Sequence, residues 1–427
     1  METTNNLRSN ITPPLQDNAG QATPSEAADN STEAGNRSGF WQRVRNLFTN
    51  RQIISEEGGD LLVNEGNPIA LFIDRFIHRR HCPYCFAYVS RRVYRLSNRA
   101  AQQVRVSDIP MSLPAYKTYI CPTCKNELPF DFFKNKSSSL AVIGGTDAGK
   151  SSFITIFCEL LLNRRTLLND LGIFGSVINR EGVTQIQENI ACMVHQQQAL
   201  EPTKTNTNRP VVIRLHSIHH KKVTYISLLD SPGEYSENKN EILDKLPNVQ
   251  YANGIIFLMN PLDIDQLFRM LCKEKPAEVS PYKPVKVSNF QVTEALYEAY
   301  MQCGRIKPNR RIKTPAAFCL SRADLLDDIA NIHMPPDFET DFTELDDLLG
   351  ENEMAAEDVR QLMEETDLNL VNLLEKRFQH YSFFPVSPLG KAPLESSGGR
   401  KIQGGVNPRG VLQPIVWLLY KSKFIKQ

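Results

Sequence analysis

The stretch "AVIGGTDAGKSSFITIF", Ala141–Phe157, decides how this chain folds. An apolar run enters, two glycines follow, then Gly-Lys-Ser-Ser, then apolar residues again. The entering run suits a buried strand. Phe153, Ile154, Ile156, Phe157, Leu160 and Leu161 recur at helical spacing. Between the two, Gly144-x4-Gly149-Lys150-Ser151 has the spacing of a phosphate-binding loop. The position suits the chemistry. Where a strand turns into a helix through glycines, loop N–H groups and the helix N-terminus converge on an anion. Gly144, Gly145, Thr146, Asp147, Ala148, Gly149 and Ser152 are expected to form the cradle. Lys150 reaches the outer phosphates, and Ser151 ligates Mg²⁺.

Downstream, apolar runs alternate with helical stretches. The runs are Leu140–Ile143, Pro210–Leu215, Val223–Leu229, Gly254–Met259, Ala316–Leu320 and Ser382–Val386. This alternation predicts an α/β P-loop NTPase domain over 137–427, with a mostly parallel central sheet and helices on both faces. "GVLQPIVWLLYKSKF" closes it as a helix with an apolar face. "YISLLDSPGE" puts Asp230 at a strand end, where it can hold Mg²⁺ through water. Gly233, three residues on, can offer its N–H to a γ-phosphate. "AAFCLSRADLL" puts Asp324 just past another strand. A carboxylate there accepts both N1–H and the exocyclic amine of guanine, a donor pair that adenine lacks. "FFPVSPLGK" places Ser387 in a turn that lines the base.

Ahead of this domain, "HCPYC" and "CPTC" set Cys82, Cys85, Cys121 and Cys124 in two C-x-x-C pairs. Two such pairs close a tetrahedral, structural Zn²⁺ site with no open position. A small zinc-ribbon-like module over 70–130 follows from them. The other five cysteines share no spacing and suit core or surface thiols.

The series "GGTDAGKSS", "DSPG", "SRAD" and "VSPLG", in this order on these strand ends, resembles the five-motif G domain of translation-factor-class GTPases. With a C-P-x-C zinc ribbon before it and a "VLQPIVWLL" helix after it, the chain is more similar to the bacterial double-GTPase families. The resemblance covers roughly 70–427. It implies GTP/GDP as ligand, Mg²⁺ as cofactor and a nucleotide switch as function. Ser321 and Arg322 stand where the family has Asn or Thr, then Lys. The hydroxyl can replace Thr, and the arginine stem can cover the base. Pro388 stands where the family's alanine N–H donates to guanine O6. Proline has no N–H, so the donor must be Ser387 or Leu389.

The resemblance also implies a threonine that senses Mg²⁺ and γ-phosphate before the second strand. "EPTKTNTNRPVVIRL" offers Thr203, Thr205 and Thr207, of which Thr205 is the expected sensor. Glu234 follows Gly233, where many such GTPases carry the Gln that orients the attacking water. Lys150 and Glu234 are therefore the expected catalytic pair. Glu can only accept from water and repels the γ-phosphate, so slow hydrolysis is expected. Arg180 and Arg209 are arginine-finger candidates by position only.

Composition adds bounds. The net charge of +1 points to no bulk-charge partner. No apolar run has the length of a membrane span. The N-terminal stretch lacks signal-peptide features, so a cytoplasmic location is expected. Residues 1–38, poor in large apolar side chains, suit a disordered leader. Over 39–69, Phe40, Trp41, Val44, Leu47 and Phe48 share one helical face ahead of a linker. That face could dock on a membrane surface or a partner, or pack on the protein's own body. Eight arginines and no acidic residue lie between Arg75 and Arg105, a patch able to bind nucleic acid or an acidic protein. Fifteen acidic residues lie between Asp327 and Asp367, expected as a partly helical insertion over 327–367. The expectation is a GTP-binding switch that works with a protein partner or a second G domain. A non-hydrolysing adaptor, an ATPase and a nucleic-acid-binding protein regulated by its G domain compete with it.

Overall fold

The computed structural model describes residues 52–57, 60–64, 72–73, 80–96, 117–163, 166–203, 210–279, 282, 287–335, 337, 345–396 and 399–426. All of them belong to one unit, Asn50–Gln427. The leader over 1–38, the face of Phe40–Phe48, and Thr205, Thr207 and Arg209 lie outside the described residues.

Strands β1 (Gln52–Glu57), β2 (Asp60–Asn64), β3 (Val93–Leu96) and β4 (Lys117–Tyr119) pair antiparallel in one small sheet. The central sheet holds β5 (Lys136–Ile143), β6 (Ile173–Val177), β7 (Val211–Ser217), β8 (Lys222–Leu228), β9 (Gly254–Met259), β10 (Ala316–Leu320) and β11 (Tyr381–Pro385). Their order is β11-β10-β9-β5-β8-β7-β6, and only β7 runs against the others. A hairpin of β12 (Leu394–Ser396) and β13 (Gly399–Lys401) stands apart. Edge strand β6 escapes a sequence reading because only Ile173 in it is buried.

Successive side chains of a strand face opposite ways, and the two cores divide on that period. Ala141 and Ile143 of β5, Ile255 and Phe257 of β9, and Ala316 and Phe318 of β10 face one core. Leu140 and Val142, Ile256 and Leu258, and Ala317 and Cys319 face the other. Helices α1 (Lys150–Asn163), α2 (Arg180–Ile190), α3 (Asp265–Glu274), α4 (Asn289–Gln302), α5 (Leu345–Thr366), α6 (Leu368–Arg377) and α7 (Gln413–Lys421) cover the faces. The cluster behind Leu140 includes buried residues of α1, α2 and α7; the cluster behind Ala141 includes those of α3, α4 and α6.

The acidic segment is more integral than an insertion. Parallel neighbours β10 and β11 need a crossover between them, and α5 with α6 supplies it. Leu348, Ala355, Val359 and Leu362 form the buried stripe of α5, while Asp346, Asp347, Glu353 and Glu357 stay exposed. Arg360 pairs with Glu364 at 2.8 Å and with Glu375.

Candidate nucleotide site and four-cysteine centre

Loop 144–149 leaves the carboxyl end of β5, between β8 and β9. There the chain crosses from one side of the first strand to the other, and such a switch point opens a crevice. Asp147 and Gly149 take positive φ values of 60° and 85°, which curl the loop around its own N–H groups. Lys150 is buried, and its Nζ donates to the carbonyls of Gly144 and Gly145, both at 2.9 Å. Burial draws its ammonium down to about 8, against the pull of Asp230 and Asp147.

Ser151, at the start of α1, donates to Asp230 Oδ1 at 3.0 Å. Its Oγ lies 2.9 Å from Thr203 Oγ1. Burial pushes the Asp230 carboxyl up, opposed by the bond from Ser151. Three oxygens from three separate segments thus meet at one point. That is the hard-oxygen donor type that Mg²⁺ takes, usually beside waters and phosphates. Thr203 is the threonine described at this point; Thr205, the expected sensor, lies outside the described residues. A Cβ on Gly233 would come within 2.4 Å of the Thr146 backbone, so the turn after Asp230 lies directly on the loop. Thr146 Oγ1 donates to Glu237 Oε1 at 3.0 Å. Glu234 is exposed and lines this pocket with Thr203, Gly233 and loop residues Thr146–Ser152.

A second pocket adjoins it, lined by Ser321, Arg322, Asp324, Ser387, Pro388 and Leu389 among others. Ser387 Oγ donates to Asp324 Oδ1, and the Gly390 N–H donates to Ser387 Oγ at 3.0 Å. Burial pushes the Asp324 carboxyl up, with the Ser387 bond opposing. The two residues expected to line a base are therefore in direct contact. Ser321 also ties β10 to β9: its N–H and Oγ both donate to the Met259 carbonyl, at 2.8 and 2.9 Å. Arg322, at φ 49°, donates to the Asp147 carbonyl at 3.1 Å and to its Oδ2 at 2.7 Å. It locks this pocket to the loop. The Ser387 N–H is taken by the Arg409 carbonyl at 2.8 Å. Of the two donors the sequence leaves open, Leu389 remains.

Two residues at or beside the site carry no sequence signal of their own. Asp263 follows β9 in a short turn; burial pushes its carboxyl up to about 7, with Arg322 opposing. Arg400, on β13, lines both pockets. Arg180 is exposed at the start of α2 and lines neither.

The four cysteines converge away from this crevice. Their sulfurs all lie within 4.8 Å of one another, with Cys82–Cys124 at 3.7 Å and Cys85–Cys121 at 3.5 Å. A tetrahedron with Zn–S bonds of about 2.3 Å has edges of about 3.8 Å, so the donor set fits Zn²⁺. The two turns are copies of each other. Cys82 N–H donates to Ala87 and Cys121 N–H to Asn126; Phe86 and Lys125 take φ values of 60° and 61°. Bonds among the sulfurs pull the Cys121 thiol down and push those of Cys82 and Cys85 up. Cys82, Cys121, Val89, Leu128, Phe132 and Phe133 share a small core with Tyr225 of β8. Tyr225 Oη and Arg214 Nη2 both donate to Asp131, the latter at 3.0 Å.

The basic patch is partly spent inside this module. Arg80 donates to the Asn135 carbonyl, Arg91 to that of Phe133 at 2.7 Å, and Arg95 pairs with Glu127 at 3.0 Å.

No family model matches the chain, and no curated protein matches it. Among solved structures, the small GTPase Arl6 BBS3 of Trypanosoma brucei, with bound GppNp, aligns at 13% identity and a TM-score of 0.28. That alignment covers 68% of this chain and 99% of the other. The Ski7 GTPase-like domain of S. cerevisiae, bound to GTP, aligns at 14% identity and a TM-score of 0.34, over 69% of this chain and 51% of its own. Overlaps this loose say nothing about the chemistry of the site. Among the described residues, no helix is long and apolar enough to cross a membrane.

Proposed function

We propose that the chain is a GTP-binding switch with slow, Mg²⁺-dependent hydrolysis to GDP and phosphate, coupled to a protein partner or a second G domain. What carries the reading is the contact between Ser387 and Asp324 beside the lysine loop. A phosphate-binding loop alone serves any nucleoside triphosphate. A buried carboxylate fixed by a serine, in a pocket adjoining that loop, suits the paired donors of guanine. Mg²⁺ would be held through Ser151, Thr203 and Asp230, and would neutralise charge on the β- and γ-phosphates. Lys150 draws on the same phosphates, and the Gly233 N–H faces the outermost one. Glu234 stands at the water side, where its charge slows attack. Zn²⁺ held by the four cysteines would serve structure alone. The module over 70–130, the leader over 1–38 and a cytoplasmic location belong to the same reading.

Titration of the purified chain with GTP, GDP, XTP and ATP tests it. Guanine nucleotides should bind with Mg²⁺, and Lys150→Ala should abolish binding. Asp324→Asn should move preference from guanine to xanthine by about 100-fold or more, because a mispaired buried polar group is strongly rejected. Equal affinity of the wild type for GTP and ATP would favour an ATPase instead.

A further inference from the structure

Arg400 reaches the crevice from a part of the chain that no motif marks. Its strand is anchored: the Ala199 N–H donates to the Arg400 carbonyl at 2.9 Å, and the Ile402 N–H to the Gln197 carbonyl at 2.7 Å. Lys401 bridges Gln198. The hairpin therefore extends onto the segment that leads into Thr203. The Arg400 side chain lines the pocket of Gly149, Lys150, Ser151, Thr203 and Gly233 as well as the pocket of Asp324. Its Nη1 lies 3.8 Å from Asp147 Oδ1, while Arg322 holds the other oxygen of that carboxylate at 2.7 Å. A pair at 3.8 Å with both partners about a third exposed binds weakly. The guanidinium can exchange that carboxylate for a phosphate oxygen without moving its backbone.

We propose that Arg400 is an arginine supplied in cis to the phosphates of the bound nucleotide, where it stabilises the transition state of hydrolysis. The role rests on the GTP reading above. A water oxygen bonds to the γ-phosphorus as the bond from that phosphorus to the β–γ bridging oxygen breaks. GDP leaves with the electron pair, and the proton of water passes to the phosphate product. Charge spreads over the γ-phosphoryl and bridging oxygens in that transition state, and a planar guanidinium can meet two of them at once. The same residue's backbone bonds tie this contact to the segment of Thr203, so Mg²⁺-side and base-side groups meet through one hairpin.

The test compares the full-length wild type with Arg400→Ala and Arg400→Lys. GDP affinity, binding of GDP with aluminium fluoride, single-turnover GTP hydrolysis and thermal melting are measured. In Arg400→Ala, hydrolysis should fall about 20- to 30-fold, the ratio between the basal rate of a GTPase that carries its arginine in cis and that of a small GTPase that lacks one, while GDP affinity stays within about threefold. The aluminium fluoride complex should be lost, and Arg400→Lys should recover little, because an ammonium cannot fork. Unchanged hydrolysis and an intact fluoride complex in an Arg400→Ala chain that still binds GTP would overturn the proposal and leave the GTP reading standing. A wild type that binds no guanine nucleotide would remove both.

Discussion

Burial of Asp131, beside Tyr225 of β8, is outweighed by the hydrogen bonds of Tyr225 and Arg214, which hold its carboxyl below the usual range. Past the carboxyl ends of β8, β10 and β9, burial wins: the carboxyls of Asp230, Asp324 and Asp263 are all pushed up. The first arrangement adds to folding stability near neutral pH, and the second subtracts from it. A structural joint can satisfy its carboxylate fully. A binding site must hold carboxylates partly unsatisfied, ready for a metal or a base. The four-cysteine module is thus built for permanence and the crevice for exchange.

Metal removal should produce the largest effect. Structural Zn²⁺ contributes on the order of 10 kcal/mol in small thiolate sites. Chelation, or Cys82→Ser, should raise hydrogen exchange across 80–96 and 117–133 while GTP affinity stays within about threefold. Loss of GTP binding on chelation would erase the division between the two regions. So would a metal-free preparation whose module stays protected.

A pH series on Asp263→Asn sharpens the contrast. The folded-state carboxyl sits at about 7, above the unfolded value of about 3.9. The ionised form therefore costs stability, fully above pH 7, and the cost fades as pH falls toward 4. The variant should be more stable than wild type at pH 8, by on the order of 2 kcal/mol, and lose that advantage by pH 4. Urea unfolding at both values measures it. An advantage that grows on acidification would mean that Asp263 is satisfied as the anion.

The smallest effect belongs to Tyr225→Phe. It removes one hydrogen bond to Asp131 and leaves Arg214 in place. We expect a loss of about 1–2 kcal/mol by urea unfolding, with nucleotide affinity unchanged.

Legibility in the sequence follows locality. The lysine loop, the turn of Asp230 to Gly233 and each cysteine pair are built from consecutive residues, so their chemistry can be read in one window. Asp324 and Ser387 were readable because each ends an apolar run. Arg400 was not, since its place depends on a hairpin bonding to Gln197 and Ala199, far away in sequence. Among the three threonines, composition offered no ground for choosing; Thr203 lies 2.9 Å from Ser151, and Thr205 and Thr207 lie outside the described residues. A helix was expected within 327–367, but its acids, crowding the exposed side, concealed that α5 is part of the crossover from β10 to β11. Ser321 lines the pocket expected for the base, and its hydroxyl also clips β10 to β9. A strand-end hydroxyl has that carbonyl within reach before any ligand arrives.

Strand β8 joins both regions, and its mechanics decide what passes between them. Asp230 lies five positions after Tyr225, a span of about 17 Å in extended chain. Such a rod cannot stretch. It is also clamped along its length, by β5 on one side and β7 on the other. A disturbance reaching Tyr225 from the four-cysteine module would have to shear two ladders before it displaced the aspartate. The sheet therefore works as a bulkhead: it lets one molecule carry a fixed attachment and a working crevice without the wear of either reaching the other.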